Sequence, residues 1–194
     1  MEKILTVPIG EEEARKLKAG DVVYVSGTMF TARDEAHRVL LERGAPLPLE
    51  GLALFHCGPV VQKVDGGWRV VAAGPTTSAR MEMFEADFLK RFKPRLIIGK
   101  GGMGKRTLAA LEEVGAVYTH FTGGAGALAA RAIKRVREVH FLEELGIPEA
   151  VWVLEVERFG PLVVTMDAHG RSLYEELERT VSANLARIKE RLGG

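Results

Sequence analysis

What most narrows the fold of this chain is a unit that occurs twice in succession: a short apolar run, a glycine-rich loop, then a helix. Leu96-Ile97-Ile98 leads into the loop 99–104 and a helix predicted over about 105–114, closed by Gly115. The run 117–121 leads into Thr122-Gly123-Gly124-Ala125-Gly126 and a short helix over about 127–134. A strand joined to the next through a helix returns to its starting end, so the two strands run parallel. The repetition predicts an α/β fold, a parallel-rich sheet with helices packed on it.

Further strands are predicted at 4–7, 22–25, 52–56, 136–141, 151–156 and 162–166. The segments 60–64 and 68–73 flank Asp65-Gly66-Gly67 and read as a hairpin. Helices are predicted at 11–17, from Thr31 or Ala32 to Glu42, and from the Thr76-Thr77-Ser78 cluster, whose hydroxyls suit capping, to about Phe92. Met81, Phe84, Phe88 and Leu89 give that last helix an apolar face. An amphipathic C-terminal helix begins at about 172 and carries Leu173, Leu177, Val181, Leu185 and Ile188. At 194 residues the whole chain, 1–194, is expected to form a single domain.

The formal net charge of +1 gives no reason to expect nucleic acid or a membrane surface as partner, so any anion site must be local. Cys57 is the only cysteine, which excludes an internal disulfide and an all-cysteine metal site. No segment approaches the ~18 consecutive apolar residues of a membrane helix. Met1-Glu2-Lys3-Ile4-Leu5 lacks a long apolar leader, and the expected location is the cytoplasm.

Two stretches carry chemistry. Gly74-Pro75-Thr76-Thr77-Ser78-Ala79-Arg80-Met81 sets hydroxyls and an arginine at the mouth of a helix, and Gly99-Lys100-Gly101-Gly102-Met103 holds a lysine between glycines at a strand end. Both suit a small anion. Gly99, Gly104 and Lys105 also meet the pattern of a P-loop, which would make the chain a nucleotide-binding NTPase. The next position should be a hydroxyl for magnesium, but it is Arg106, and Thr107 comes one residue late. That slip turns a helical side chain by roughly 100°. The run 162–167, ending in Asp167, could mimic the metal-binding strand end such a site needs, but four apolar residues before an acid are a common pattern.

With Ser26-Gly27-Thr28 and Thr31-Ala32-Arg33-Asp34-Glu35-Ala36-His37 added, three linked motifs occur in order. Together they resemble the β-subunit, or C-terminal domain, of class I iron–sulfur fumarate hydratases and the related L-tartrate dehydratases, over about 20–173. The resemblance implies a swivelling β/β/α domain and a separate α-subunit that carries a [4Fe–4S] cluster on three cysteines, in an assembly such as α2β2 or one with β–β contacts. It implies a C4 dicarboxylate substrate, with Arg33 and Arg80 binding carboxylates, Lys100 adding a third positive contact, and Thr76 as the catalytic base. Reversible hydration of fumarate to malate is the leading reaction and dehydration of tartrate the closest rival. Ser78-Ala79 departs from the Ala-Gly found in many relatives.

The residues keep other readings open. Arginine pairs a carboxylate through two parallel N–H···O bonds, which suits a dicarboxylate that must lose its water. Yet Arg33 could pair with Asp34 or Glu35, Arg80 with Glu82 or Glu85, and Lys100 could simply line a glycine turn. A threonine hydroxyl is a poor base, so Thr76 reads from physics alone as a helix cap, like Thr77 and Ser78. His37 reads as a packing or capping residue. His56, beside Cys57, lacks a third metal ligand nearby and reads as a buried strand end. A non-catalytic dicarboxylate-binding module is a third functional class beside the hydro-lyase and the NTPase.

Overall fold

The computed structural model describes residues 2–192. In chain order the elements are β1 (Glu2–Val7), α1 (Glu11–Arg15), β2 (Val22–Thr31), α2 (Asp34–Arg43), β3 (Ala53–Phe55), β4 (Val60–Val64) and β5 (Gly67–Ala72). A 3-10 turn (Ser78–Met81) then runs into α3 (Glu82–Phe92), followed by β6 (Leu96–Gly99), α4 (Lys105–Val114), β7 (Val117–His120) and α5 (Gly126–Ala132). The chain ends with β8 (Ile133–His140), α6 (Leu142–Leu145), β9 (Val151–Met166) and α7 (Leu173–Arg191).

β1, β2, β3, β6 and β7 run parallel, as the repeated unit predicts. β9 is antiparallel to β2, β7 and β8. Because β9 pairs with both β7 and β2, strands β2, β3, β6, β7 and β9 close into a ring. Two long strands make the closure possible. β2 pairs with β1 over Val22–Gly27 and with β3 from Met29 onward, and β9 pairs with β8 in its first half and with β7 near its end.

These long strands are where sequence-based expectation and structure differ. β2 continues six residues past the predicted end, so α2 starts at Asp34 rather than at Thr31 or Ala32. The two predicted strands 151–156 and 162–166 are one, β9. Charged and bent residues at 157–160 break its apolar pattern, but the ladder to β2 carries it through, with Val25 opposite Phe159 and Gly27 opposite Val156. β8 starts at Ile133, taking residues assigned to the end of α5, and α6 has no counterpart in the predicted elements.

Side chains alternate across a strand, and that period divides the core. One buried cluster draws Val23, Val25, Phe55, Ile98, Val117 and Leu154 from all five ring strands. The other faces of these strands contribute Phe30, Leu54, Ile97, Tyr118 and Val151 to a second cluster under α2, α3 and α4. Each such large apolar side chain contributes about 1.5–3 kcal/mol on full burial. Trp152 is fully buried and Trp68 of the hairpin meets it edge-on, with centroids 5.5 Å apart. α7 has no buried residue, and Leu177, Val181, Leu185 and Ile188 stay exposed along one stripe.

Candidate functional site

Residues that leave a parallel strand at its carboxyl end converge on one rim of the sheet, the usual place for a ligand in such folds. Arg33 follows β2, His56 follows β3, Lys100 follows β6, and the loop 121–125 follows β7. The segment carrying Thr76 and Arg80 is drawn in by backbone bonds. Pro75 bridges Cys57 and Thr77 bridges Lys100. Thr76 N–H donates to the His56 carbonyl at 2.7 Å, and Ser78 N–H to the Lys100 carbonyl at 2.9 Å. The segment 75–78 thus lies as a short extra strand between the chain leaving β3 and the chain leaving β6.

Each candidate residue has a definite setting. Arg33 stands just before α2, and its Nε lies 3.2 Å from Glu149 Oε1, a partner far away in sequence. Arg80 projects from the 3-10 turn, half-exposed, and pairs with Asp34, the residue after Arg33. The two arginines are therefore neighbours through Asp34, and neither takes the partner expected for it from sequence. Lys100 reaches over the loop after β7: a Cβ on Gly123 would lie 3.8 Å from its Nζ. Gly101 and Gly102 take φ of 79° and 75°, which lets the chain turn back sharply after this lysine. Thr76 is half-buried on the same rim. The capping expected of the hydroxyl cluster is not found, since neither the 3-10 turn nor α3 has a side-chain cap bond.

Ser78 has a different use. Its Oγ lies 2.8 Å from His56 Nδ1 and accepts from the Tyr118 hydroxyl at 2.9 Å. On its other side His56 Nε2 lies 3.0 Å from Glu85 Oε2, and His37 Nε2 approaches the same oxygen at 3.2 Å, off the line of a good hydrogen bond. His37 Nδ1 in turn lies 2.8 Å from the Arg33 carbonyl. His37, His56, Ser78 and Glu85 are fully buried. Burial pulls His56 below its ordinary value of 6.5, against the attraction of Glu85. Burial would also raise Glu85, but the His56 and His37 imidazoles outweigh it and hold the carboxyl well below the usual carboxylate range. The order hydroxyl, imidazole, carboxylate is that of a nucleophilic triad, yet a hydroxyl sealed from solvent cannot meet a substrate. The sequence carried one trace of this cluster: Glu85 sits on the apolar face of α3, between Met81 and Phe88.

Comparison with known proteins decides the family. The domain described as Fumarase C-terminus matches residues 3–177. This chain belongs to that family. It is 45% identical over 178 residues to the L(+)-tartrate dehydratase subunit beta of Escherichia coli K12, covering 91% of this chain and 88% of that one. It is 47% identical over 180 residues to a provisionally named L(+)-tartrate dehydratase subunit beta of Methanocaldococcus jannaschii, covering 90% and 92%. A provisionally named class I fumarate hydratase of Geobacillus stearothermophilus is 48% identical over 187 residues, covering 96% of this chain but only 36% of that longer polypeptide.

Two further observations bear on this fumarase C-terminus chain. The P-loop expectation fails for a reason beyond the misplaced hydroxyl. The start of α4, where a phosphate would sit, already holds a carboxylate: Glu82 accepts from Gly104 N–H at 2.7 Å and from the Thr107 hydroxyl at 2.7 Å. Asp167, the supposed metal-binding acid, instead accepts backbone N–H bonds from Ala19, His169 and Arg171. A [4Fe–4S] cluster held on three cysteines needs more thiols than this sequence has. Cys57 is the lone thiol, and burial pushes it up to about 12, so it stays protonated rather than becoming the thiolate that iron needs.

Proposed function

We propose that this chain is the β-subunit of a two-subunit hydro-lyase acting on a C4 dicarboxylate, with reversible hydration of fumarate to (S)-malate as its reaction. Arg33 and Arg80 bind the carboxylates, Lys100 adds a third positive contact, and Thr76 is the base. The supporting observation is the meeting of the segments that bear these residues on one rim of the sheet, in a member of the fumarase C-terminus family. The reading takes 1–194 as one domain of the swivelling β/β/α type, in a cytoplasmic α2β2 assembly. It assigns the [4Fe–4S] cluster to the α-subunit, in keeping with the single buried thiol of this chain.

The chemistry asked of this chain is electrostatic. A doubly charged acid gives up its water only to matched cations, and guanidinium forks supply two bonds per carboxylate. Arg80 is free to serve because its ion pair with Asp34 is half-exposed, and such pairs contribute at most about 1 kcal/mol. Removing a proton beside a carboxylate builds enediolate-like charge, and cations fixed nearby stabilise that charge more than the ground state. Among the described residues no imidazole or carboxylate hydrogen-bonds the Thr76 hydroxyl, so its base role calls for a proton acceptor on the partner subunit.

Tartrate dehydration is the second reading, favoured by the relatives of that name, which this chain matches over 88% and 92% of their length. Anaerobic mixing with the α-subunit tests both. Loss of fumarate absorbance supports the first, and oxaloacetate from tartrate with fumarate untouched supports the second. Either activity should need both chains and fall by about 100-fold or more in Arg80→Ala, in line with losing an interaction on developing charge. Dicarboxylate binding without turnover under every reconstitution overturns both.

A further inference from the structure

We infer that the buried chain Tyr118–Ser78–His56–Glu85–His37 is a positioning network that ties the three site-bearing segments to one another. It rests on the functional reading above for its purpose and on geometry alone for its existence. One end lies on β7. Ser78 belongs to the Thr76–Arg80 segment itself, and the far end holds the Arg33 carbonyl. Each joint crosses between elements: β7 to the 3-10 turn, the turn to the end of β3, β3 to α3, α3 to α2. Displacing any member shifts a segment that carries a proposed substrate contact.

The hydrogen inventory gives the network a direction. Tyr118 O–H donates to Ser78, which leaves the serine proton for His56 Nδ1. His56 is then the tautomer with hydrogen on Nε2, donating to Glu85. His37 Nδ1 faces a carbonyl and must carry hydrogen. Its Nε2 meets the Glu85 oxygen at 3.2 Å as a close contact, off the line of a hydrogen bond. The surroundings leave no latitude. Gly99, at the start of the Lys100 loop, has no Cβ, and one placed there would lie 1.9 Å from Ser78 Oγ, 3.0 Å from the Tyr118 hydroxyl and 3.2 Å from His56 Nδ1. The strand end that presents Lys100 is thus fitted against the network itself.

Two measurements test it. The first uses the full chain and needs no activity: nitrogen-15 histidine spectra should contain slowly exchanging imidazole N–H protons from His37 and His56, lost in Glu85→Gln. Freely exchanging imidazoles overturn the network. So does one equivalent of zinc or iron on the purified chain that is lost in Glu85→Gln, because His37, His56 and Glu85 would then be ligands. The second uses the complex with the α-subunit. Ser78→Ala and Tyr118→Phe, each removing one hydroxyl from a joint, should raise KM for the dicarboxylate about 10- to 100-fold with a smaller change in kcat, as misplacement of binding groups does. Folded variants with lower melting temperature but wild-type KM and kcat would reduce the cluster to plain stability and overturn positioning. A wild-type complex without hydro-lyase activity overturns the functional reading instead, and the imidazole spectra still decide the network.

Discussion

Gly99 shows how much one missing carbon atom settles. Its backbone is not in a left-handed conformation, so the requirement for glycine is one of space: Ser78 Oγ occupies the place of a side chain. Gly99→Ala should therefore destabilise the chain by about 1–3 kcal/mol, the usual range for overpacking. That corresponds to a fall in Tm of about 2–4 °C for each kcal/mol in a chain of this size. Thermal melts check this, and an unchanged Tm would mean the serine moves aside freely. The sequence displayed Gly99, Ser78, His56 and Glu85 as four separate residues with four ordinary explanations. Twenty-one positions separate Ser78 from Gly99 and twenty-nine separate His56 from Glu85, so no local pattern joins them.

At the scale of elements, the start of α4 is the instructive case. Its first turn offers unpaired N–H groups that attract an anion, and the sequence pattern there suggested phosphate. The neighbouring helix α3 supplies the anion from within the chain, through Glu82. Glu82→Ala should cost about 0.5–2 kcal/mol, as the loss of a cap does, read as a lower denaturant midpoint. The same variant should not acquire ATP turnover, because Asp167 remains committed to the turn after β9. The long strands β2 and β9 carry a similar lesson. Their middle residues lack a clean apolar alternation, and neighbours on both sides hold them extended where local propensity would stop.

For the whole molecule, the buried imidazole and carboxylate set the response to acid. His56 has its folded value lowered from 6.5, so the unfolded chain takes up a proton there that the folded chain refuses. Its contribution is full above pH 6.5 and is lost as pH falls below it. Glu85 is lowered from 4.5, so its contribution is full above pH 4.5 and is lost as pH falls further. Stability should therefore begin to decline below about pH 6.5 and decline more steeply below about pH 4.5. Tm measured across pH 7 to 3.5 checks this, and a Tm constant down to pH 4 would contradict it. His56→Asn should weaken the first phase of the decline.

By itself the sequence determined what depends on near neighbours: helices at amphipathic runs, turns at glycine pairs, parallel strands around short crossovers, and the motifs that mark the family. Those signals are local because hydrogen bonding and side-chain periodicity within an element reach only a few residues. Only the tertiary structure decided the rest. Closure of the ring by β9, capture of the Thr76–Arg80 segment between two strand ends, and the meeting of His37, His56, Ser78 and Glu85 all join residues far apart in the chain. A buried polar group must find a partner wherever the fold brings one, and which partner that is follows from packing rather than from spacing.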